Sequence, residues 1–506
     1  MASAEQGWPP RLAREARLRL LDELLACDTG RSRKDVVTYK VERAGLLHAL
    51  GRSDEARQAY LDALMQAPTD FAALNDFGAL LTATGFRSAA RTVYAEAIKH
   101  HPGNPKGHVN LANLLRRDGE LAAARAHYEA ALRLEPSNPN AHQGLGAVCA
   151  ALGEPQAADR HRCEGYRNQF ITTLPYRGSG APLPLLLLVS AGGGDIPTDS
   201  FLDDRVFLSS VVTADFCDPL TPLPPHQLVF NAIGDADLCA AALKAAAALL
   251  RRTSAPVINH PDAVITTGRA DNARRLAALA GVATPRMIEL PRRTFACSDA
   301  ASLLANHGVA FPLLLRTPGC HTGQNFLRVE DAAELAAAAE RLPGDLLLAI
   351  EYLDARGRDG NARKYRVMII DGVIYPLHLA ISRSWKVHYF TADMADNPEH
   401  RAEDAAFLSD MAGTLGPEAT AALRRIGDAL GLDYAGVDFG LAPDGKVLLF
   451  EANATMAVYP PGADQRWVYR RDPVGRIFEA VRAMMIGRAA TPGLNTARAV
   501  AASGRD

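Results

Sequence analysis

Cysteine is scarce and scattered. Cys27, Cys149, Cys163, Cys217, Cys239, Cys297 and Cys320 are odd in number and form no C-x-x-C pair or other metal-ligand spacing, so reduced thiols in a cytoplasm are expected. Net charge is nearly absent as well. With 55 basic and 57 acidic residues the formal charge is −2, so no global field draws the chain onto nucleic acid or an anionic membrane, and any phosphate binding must be local. Long apolar runs are missing too: the longest, Leu183 to Val189, contains Pro184 and is far short of the roughly 20 residues of a spanning helix. It reads as a buried strand. The first 25 residues mix Arg and Glu through their apolar positions, which breaks the core of a signal peptide, and no export is expected. A cytoplasmic protein with neither a nucleic-acid nor a membrane partner is the expectation.

What is present is a long chain of 506 residues, 48% hydrophobic and 22% charged, enough for two to four structural units. Its first part repeats. Gly51, Gly85, Gly119 and Gly153 stand 34 residues apart, and Ala56, Ala90, Ala124 and Ala158 keep the same period. Tyr60, Tyr94 and Tyr128 share it, as do Ala63, Ala97 and Ala131, and Pro68, Pro102 and Pro136 close each unit. Small residues let two helices approach, the aromatic fills the groove, and proline stops the second helix. This pattern resembles tetratricopeptide (TPR) repeats, with three full units and a fourth in which Arg162 replaces the tyrosine. The resemblance implies a groove for a peptide or protein partner, with Asn75, Asn110 and Asn113 as backbone-binding or merely solvated positions. A purely structural array is the alternative.

After Tyr166 the helical period fades and LPYRGSGAPLP (174–184) has linker composition. Strand-like runs at Leu185–Ser190, Val206–Val212 and Leu228–Ile233 alternate with helical stretches, which implies an α/β layer. The glycine turn after Ser190 is not G-x-G-x-x-G. NAIGDAD (231–237) is open between a substrate role and turn capping.

Further on, APVINHPDAVITTGRADNARRLAALAGVATP (255–285) sets an N-x-P loop before a basic helix start and a G-V-x-T-P turn. FPLLLRTPGCHTGQNFLRV (311–329) sets a buried strand before a cation and a glycine-containing loop suited to polyphosphate. KYRVMIIDGVIYPLHLAIS (364–382) reads as a hairpin turning at Asp371-Gly372. LDYAGVDFGLAPDGKVLLFEANATM (432–456) reads as two strands joined at Pro443-Asp444-Gly445, with Asp438 on the first and Glu451 and Asn453 on one face of the second. Such an oxygen set suits Mg²⁺. In this order the segments resemble ATP-grasp enzymes of the glutathione synthetase and RimK type.

The resemblance implies metal binding by Asp438, Glu451 and Asn453, with Mg²⁺ or Mn²⁺ as the ion. It implies ATP binding by Arg269 and Arg316, which stand where the family has lysines, by the loop residues Gly319, Thr322 and Gly323, and by the hinge Glu351, Tyr352 and Leu353. Asp354 substitutes for a ribose-binding acid whose usual place is taken by Lys364. Arg366, Lys386 and His388 are the catalytic candidates, and Arg466, Tyr469 and Arg470 either bind an acidic substrate or pack beside the lid.

The expected architecture is multidomain: an all-α TPR solenoid, then an α/β pre-ATP-grasp domain and an α+β ATP-grasp domain. Its boundaries are a helical segment over 1–36, the array over 37–170, a linker over 171–183, the α/β domain over 184–262, a small subdomain over 263–350, a large one over 351–490, and a disordered tail over 491–506. The implied activity is an ATP-dependent carboxylate–amine ligase working through an acyl phosphate, with nucleotide, carboxylate and amine as ligands and the repeats binding a peptide or protein. Two alternatives remain: an interaction scaffold with a degenerate nucleotide site, and an ATP-grasp small-molecule kinase.

Overall fold

A computed structural model describes residues 10–27, 30–319, 325–388, 392–462 and 464–490. Its contacts divide the chain into two units, Met1–Pro184 with Asp204–Pro224, and Leu185–Asp203 with Pro225–Asp506.

The 34-residue glycine period has a backbone cause. Helices α1 (Pro10–Ala26), α2 (Arg33–Ala49), α3 (Ser53–Gln66), α4 (Phe71–Ala83), α5 (Arg87–His100), α6 (Pro105–Arg117), α7 (Leu121–Leu134), α8 (Pro139–Ala151) and α9 (Pro155–Tyr166) follow one another. Gly51, Gly85, Gly119 and Gly153 each lie just past the first helix of a hairpin at φ of 81°, 84°, 81° and 78°. A β-carbon is strained there, and the reversed hydrogen bonds that end the helix, such as Arg52 N to Leu47 O at 2.9 Å, need that conformation. The next hairpin starts at a side-chain cap of the same period: Asp70, Asn104 and Asn138 each accept a backbone N–H of the first turn. Tyr60, Tyr94 and Tyr128 are buried among the period alanines. Gly78 and Gly144 make room for two of them, since a β-carbon would lie 2.5 Å from Tyr94 Cε1 and 2.2 Å from Tyr128 Cζ.

Strand β1 (Ile171–Thr173), in the stretch read as linker, is followed by β2 (Leu183–Val189) and β3 (Phe207–Thr213). β1 pairs antiparallel with β3, so residues 204–224, read from sequence with the α/β domain, group with the helical unit. In the second unit β2, β4 (Leu228–Asn231) and β5 (Val257–Ile258) are parallel, with α10 (Ala240–Leu250) between the last two. Helices α11 (Pro261–Val264) and α12 (Arg269–Leu276) lead to β6 (Val282–Ala283) and β7 (Met287–Pro291).

Then come α13 (Ala300–Asn306), β8 (Leu313–Arg316), β9 (Phe326–Val329), α14 (Leu335–Glu340) and β10 (Leu346–Glu351). They form a four-stranded sheet in the order β7-β10-β8-β9, whose apolar face packs on α13 and α14. β11 (Ala362–Ile370), β12 (Val373–Ser382), α15 (Pro398–Ser409), α16 (Met411–Leu430), β13 (Tyr434–Leu441), β14 (Val447–Asn453) and α17 (Arg471–Ala490) complete the unit. The five-stranded sheet has the order β12-β11-β13-β14-β6. Asp371 and Gly372, at φ of 49° and 81°, make the two-residue turn between β11 and β12, as the Asp-Gly pair indicates. Residues 263–286, read from sequence with the small subdomain, belong with this five-stranded sheet: β6 pairs with β14, and Asn272 Nδ2 donates to Ala452 O at 2.6 Å.

Asn259, the asparagine of the N-x-P loop, joins the parallel strands to β13. Fully buried at φ 55°, it donates from Nδ2 to Tyr434 O at 2.8 Å and accepts at Oδ1 from the N–H groups of Asp433 and Tyr434 at 3.0 and 2.8 Å. Replacing it with alanine leaves the half-buried Asp433 N–H and the buried N–H and carbonyl of Tyr434 without this partner and puts a non-Asx residue in the left-handed region. Asn259→Ala is expected to cost about 3 kcal/mol, read as a lower denaturant midpoint at unchanged slope. An unchanged midpoint would show the staple to be idle.

Candidate functional site

Two adjoining cavities of about 410 and 520 Å³ open in the second unit, sharing Arg269, Pro285, Met287, Arg316, Phe450, Glu451 and Asn453 in their walls. The first is lined on one side by the four-stranded sheet, through Met287, Leu314, Arg316 and Ile350, and on the other by the five-stranded sheet, through Lys364, Arg366, Asp438 and Glu451. Its lining holds seven Lys and Arg against three Asp and Glu, in a chain whose net charge is −2. Arg363 and Arg470 are engaged by carboxylates outside the lining, Arg363 by Asp359 and Glu403 and Arg470 by Asp404. Arg269, Arg316, Lys364, Arg366 and Lys386 therefore set the sign of the field, which favours an anionic ligand.

Hairpin pairing brings the proposed metal residues together. Asp438 on β13 lies opposite Glu451 on β14, and Gly436 lies opposite Asn453. Between Asp438 and Phe439 the register shifts, leaving Phe450 as an extra residue. That bulge lets the consecutive residues Phe450 and Glu451 both line the cavity, which strict alternation forbids. A second bulge, between Arg366 and Val367 on β11, does the same for Leu377 and His378 on β12.

Asp438 is 3% exposed and both its oxygens are taken. Arg366 grips it with Nε at 2.5 Å and Nη2 at 2.8 Å, and Lys364 Nζ lies 3.0 Å from Oδ2. Burial alone would raise its pKa, but the Arg366 and Lys364 charges win and hold the carboxyl far below the usual carboxylate range. Glu451 Oε1 accepts from Arg269 at 2.5 Å and from Asn453 Nδ2 at 3.0 Å, while Oε2 accepts no hydrogen bond among the described residues. Asn453 Oδ1 accepts from Thr455 N and Oγ1.

The remaining sequence-derived positions divide. Arg269 begins α12, and Arg316 ends β8 with its guanidinium 5.5 Å from the Phe326 ring centroid. Gly319, at φ 72°, lines the second cavity. Thr322 and Gly323 lie outside the described residues. Tyr352 and Leu353 line the first cavity, Tyr352 under Arg328 at 4.4 Å and edge-on to Trp385. Glu351 lines it too, but its Oε2 accepts the Arg286 N–H at 3.1 Å, tying the carboxylate to β7's approach. Asp354 is not brought in: it is absent from both linings and its carboxylate is held by Arg356, Nε at 2.9 Å and Nη2 at 2.5 Å. Lys386 and His388 line the first cavity. Burial, then the charges of Lys364 and Arg366, lowers the His388 pKa, so its imidazole is neutral at neutral pH.

Sequence reasoning missed Lys364, His378 and Trp385 as wall residues, and only their places on β11, β12 and the stretch after β12 could have signalled them. In the tail, Tyr469 Oη and Arg470 both serve the buried carboxylate of Asp404, while Arg466 pairs with Asp464 at 2.6 Å. In NAIGDAD buried Asn231 bonds the carbonyls of Asn259 and Ile233 and Asp235 Oδ1 caps the N–H groups of Asp237 and Leu238, while Gly234, Asp235 and Asp237 also line the second cavity. In the helical unit Asn113 Oδ1 accepts from Tyr128 Oη at 2.6 Å, and Asn110 donates to Asn75 at 2.8 Å.

A family model described as tetratricopeptide repeat matches residues 76–139 and 109–158. The chain thus carries TPR repeats, followed by a mixed α/β region with several sheets, and the repeats imply a protein partner. Among solved structures, MamA from residue 41 to its end from Desulfovibrio magneticus RS-1 is 22% identical, covering 31% of this chain and 89% of that one at a TM-score of 0.28. A crystal structure of MamA is 16% identical, covering 31% of this chain and 88% of that one at a TM-score of 0.27. No curated protein matches. Among the described residues no helix is long and apolar enough to cross a membrane.

Proposed function

We propose that the second unit from residue 263 onward is an ATP-grasp-like domain that binds ATP in the cationic cleft between the sheets β7-β10-β8-β9 and β12-β11-β13-β14-β6 and activates a carboxylate for attack by an amine, while the TPR repeats hold a peptide or protein. The observation that supports this best is the meeting of Glu451, Asn453 and the Asp438 cluster with Arg269, Arg316 and Arg366 beside an apolar recess. Pro285, Met287, Leu314, Ile350, Leu353 and Phe450 offer that recess to a base, next to the backbone of the hinge. The cations neutralise the triphosphate and orient its terminal phosphoryl group toward the carboxylate. Phosphoryl transfer breaks the bond between the terminal phosphorus and its bridging oxygen and gives ADP and an acyl phosphate. The amine then attacks the acyl carbon, phosphate leaves, and an amide forms. Neutral His388 can accept the proton that the attacking nitrogen loses.

The oxygens of Asp438, Glu451 and Asn453 are a hard donor set that fits Mg²⁺ or Mn²⁺. Glu451 Oε2 accepts no hydrogen bond among the described residues, whereas Asp438 would share its oxygens with Lys364 and Arg366 and Asn453 its Oδ1 with Thr455. Such an ion, when bound, supplies further charge neutralisation at the phosphates.

The test is ADP release with Mg²⁺ across amino acids, peptides and dicarboxylates, repeated with hydroxylamine. A ligase yields a hydroxamate in step with ADP. A kinase on the same fold releases ADP without one. No substrate-dependent ADP release would favour a second reading, an interaction scaffold with a degenerate nucleotide site, which draws on the Lys364 ammonium seated on Asp438.

A further inference from the structure

Two histidine pairs stand in the repeats, outside the cleft and independent of the nucleotide reading. His108 on α6 faces His127 on α7, and one period later His142 on α8 faces His161 on α9. Nδ1 lies 3.1 Å from Nδ1 in the first pair and 2.9 Å in the second, with ring centroids 5.3 and 5.2 Å apart. The two pairs are near copies. In the repeat before them the same positions hold Leu74 and Val93, so the fold needs only apolar filling there.

The first histidine of each pair is tied to the backbone. His142 Nε2 lies 2.9 Å from the Pro136 carbonyl, and His108 bonds the backbone of Pro102, the proline one period earlier. A carbonyl accepts only an N–H, so His142 Nε2 carries the proton and its Nδ1 presents its lone pair to His161. All four rings are partly exposed, and burial lowers the pKa of His108, His127 and His161, which keeps them neutral.

We propose that each pair is a two-histidine site for a divalent transition ion, Ni²⁺ or Cu²⁺, that clamps the two helices of its hairpin. An ion about 2.0–2.1 Å from each Nδ1 would subtend roughly 90–100° across separations of this size. That is the angle between neighbouring ligands in square-planar or octahedral coordination, and imidazole suits these ions. To bind, His127 and His161 shift their proton from Nδ1 to Nε2, so both rings offer lone pairs. Among the described residues no third His, Cys, Asp or Glu completes a site, so water or a side chain of the bound partner fills the other positions.

The experiment is calorimetric titration of the full chain with nickel chloride, alongside thermal unfolding with and without nickel. His108→Leu with His127→Val, and His142→Leu with His161→Val, borrow the residues of the preceding repeat and so keep the fold. Wild type is expected to bind two nickel ions that depend on these residues, and each double variant to retain one, the lost site weakened by more than about tenfold. Nickel should raise the unfolding midpoint of wild type and not of the fourfold variant. Equal nickel binding by the fourfold variant, or none by wild type, overturns the proposal and leaves the pairs as hydrogen-bonded imidazoles.

Discussion

On the proposed ligase function, Glu451→Gln is expected to lower nucleotide turnover by about a hundredfold or more and to leave the unfolding midpoint nearly unchanged. The size follows from position. Glu451 stands where both cavities meet, opposite Asp438, with Arg269 on one oxygen and the other facing no donor among the described residues. Gln keeps the shape and an acceptor for Arg269, but removes the negative charge that the proposed reaction needs for its divalent ion. The hydrogen bond from Arg269 to Oε1 survives in the amide, so folding is expected to change little. The readout is kcat for ADP release under saturating ATP, with calorimetry for the fold. Full activity in Glu451→Gln would remove this residue from the site.

Asp438→Ala is the second large effect, and it falls on stability. The carboxylate is buried and compensates both Lys364 and Arg366, whose side chains are 15% and 19% exposed. Removing the anion leaves two facing cations without their partner, a change that costs about 3–5 kcal/mol at a buried pair. Because both cations border the cavity, water reaches them in part, and about 3 kcal/mol is expected. Adding Lys364→Met to Asp438→Ala should restore part of that loss, since one of the stranded charges is gone. Chemical denaturation of the two single variants and the double reads the coupling. Strict additivity would mean that Lys364 and Asp438 do not sense each other.

The depressed pKa of Asp438 gives the same interaction a pH signature. A carboxyl held below its unfolded value contributes stability that is fully present above about pH 4 and is lost as the pH falls toward the folded value.

The repeats were legible because a 34-residue period writes itself in residues with no substitute: glycine at positive φ, alanine at the helix contact, tyrosine over a glycine. The two hairpins of the cleft were legible from Asp371-Gly372 and Pro443-Asp444-Gly445 for the same reason. Side-chain partners were not. The spacing of Asp438, Glu451 and Asn453 says nothing of Lys364, whose reach to Asp438 arises from the pairing of β11 with β13. Bulges at Phe450 and Leu377 are invisible to a two-residue alternation, so the wall they build had no signal. Asp354 is a substitute for the acid that Lys364 displaces, but its neighbour Arg356 holds its carboxylate. Asn259 carried a motif, and the structure gives that motif a use in joining strands.

The most direct measurement is equilibrium binding of a non-hydrolysable ATP analogue with Mg²⁺ to the full chain and to Arg316→Glu, which reverses a charge shared by both cavities. Wild type is expected to bind one nucleotide per chain, and Arg316→Glu to lose it. No nucleotide bound by wild type, or equal binding by Arg316→Glu, would contradict it.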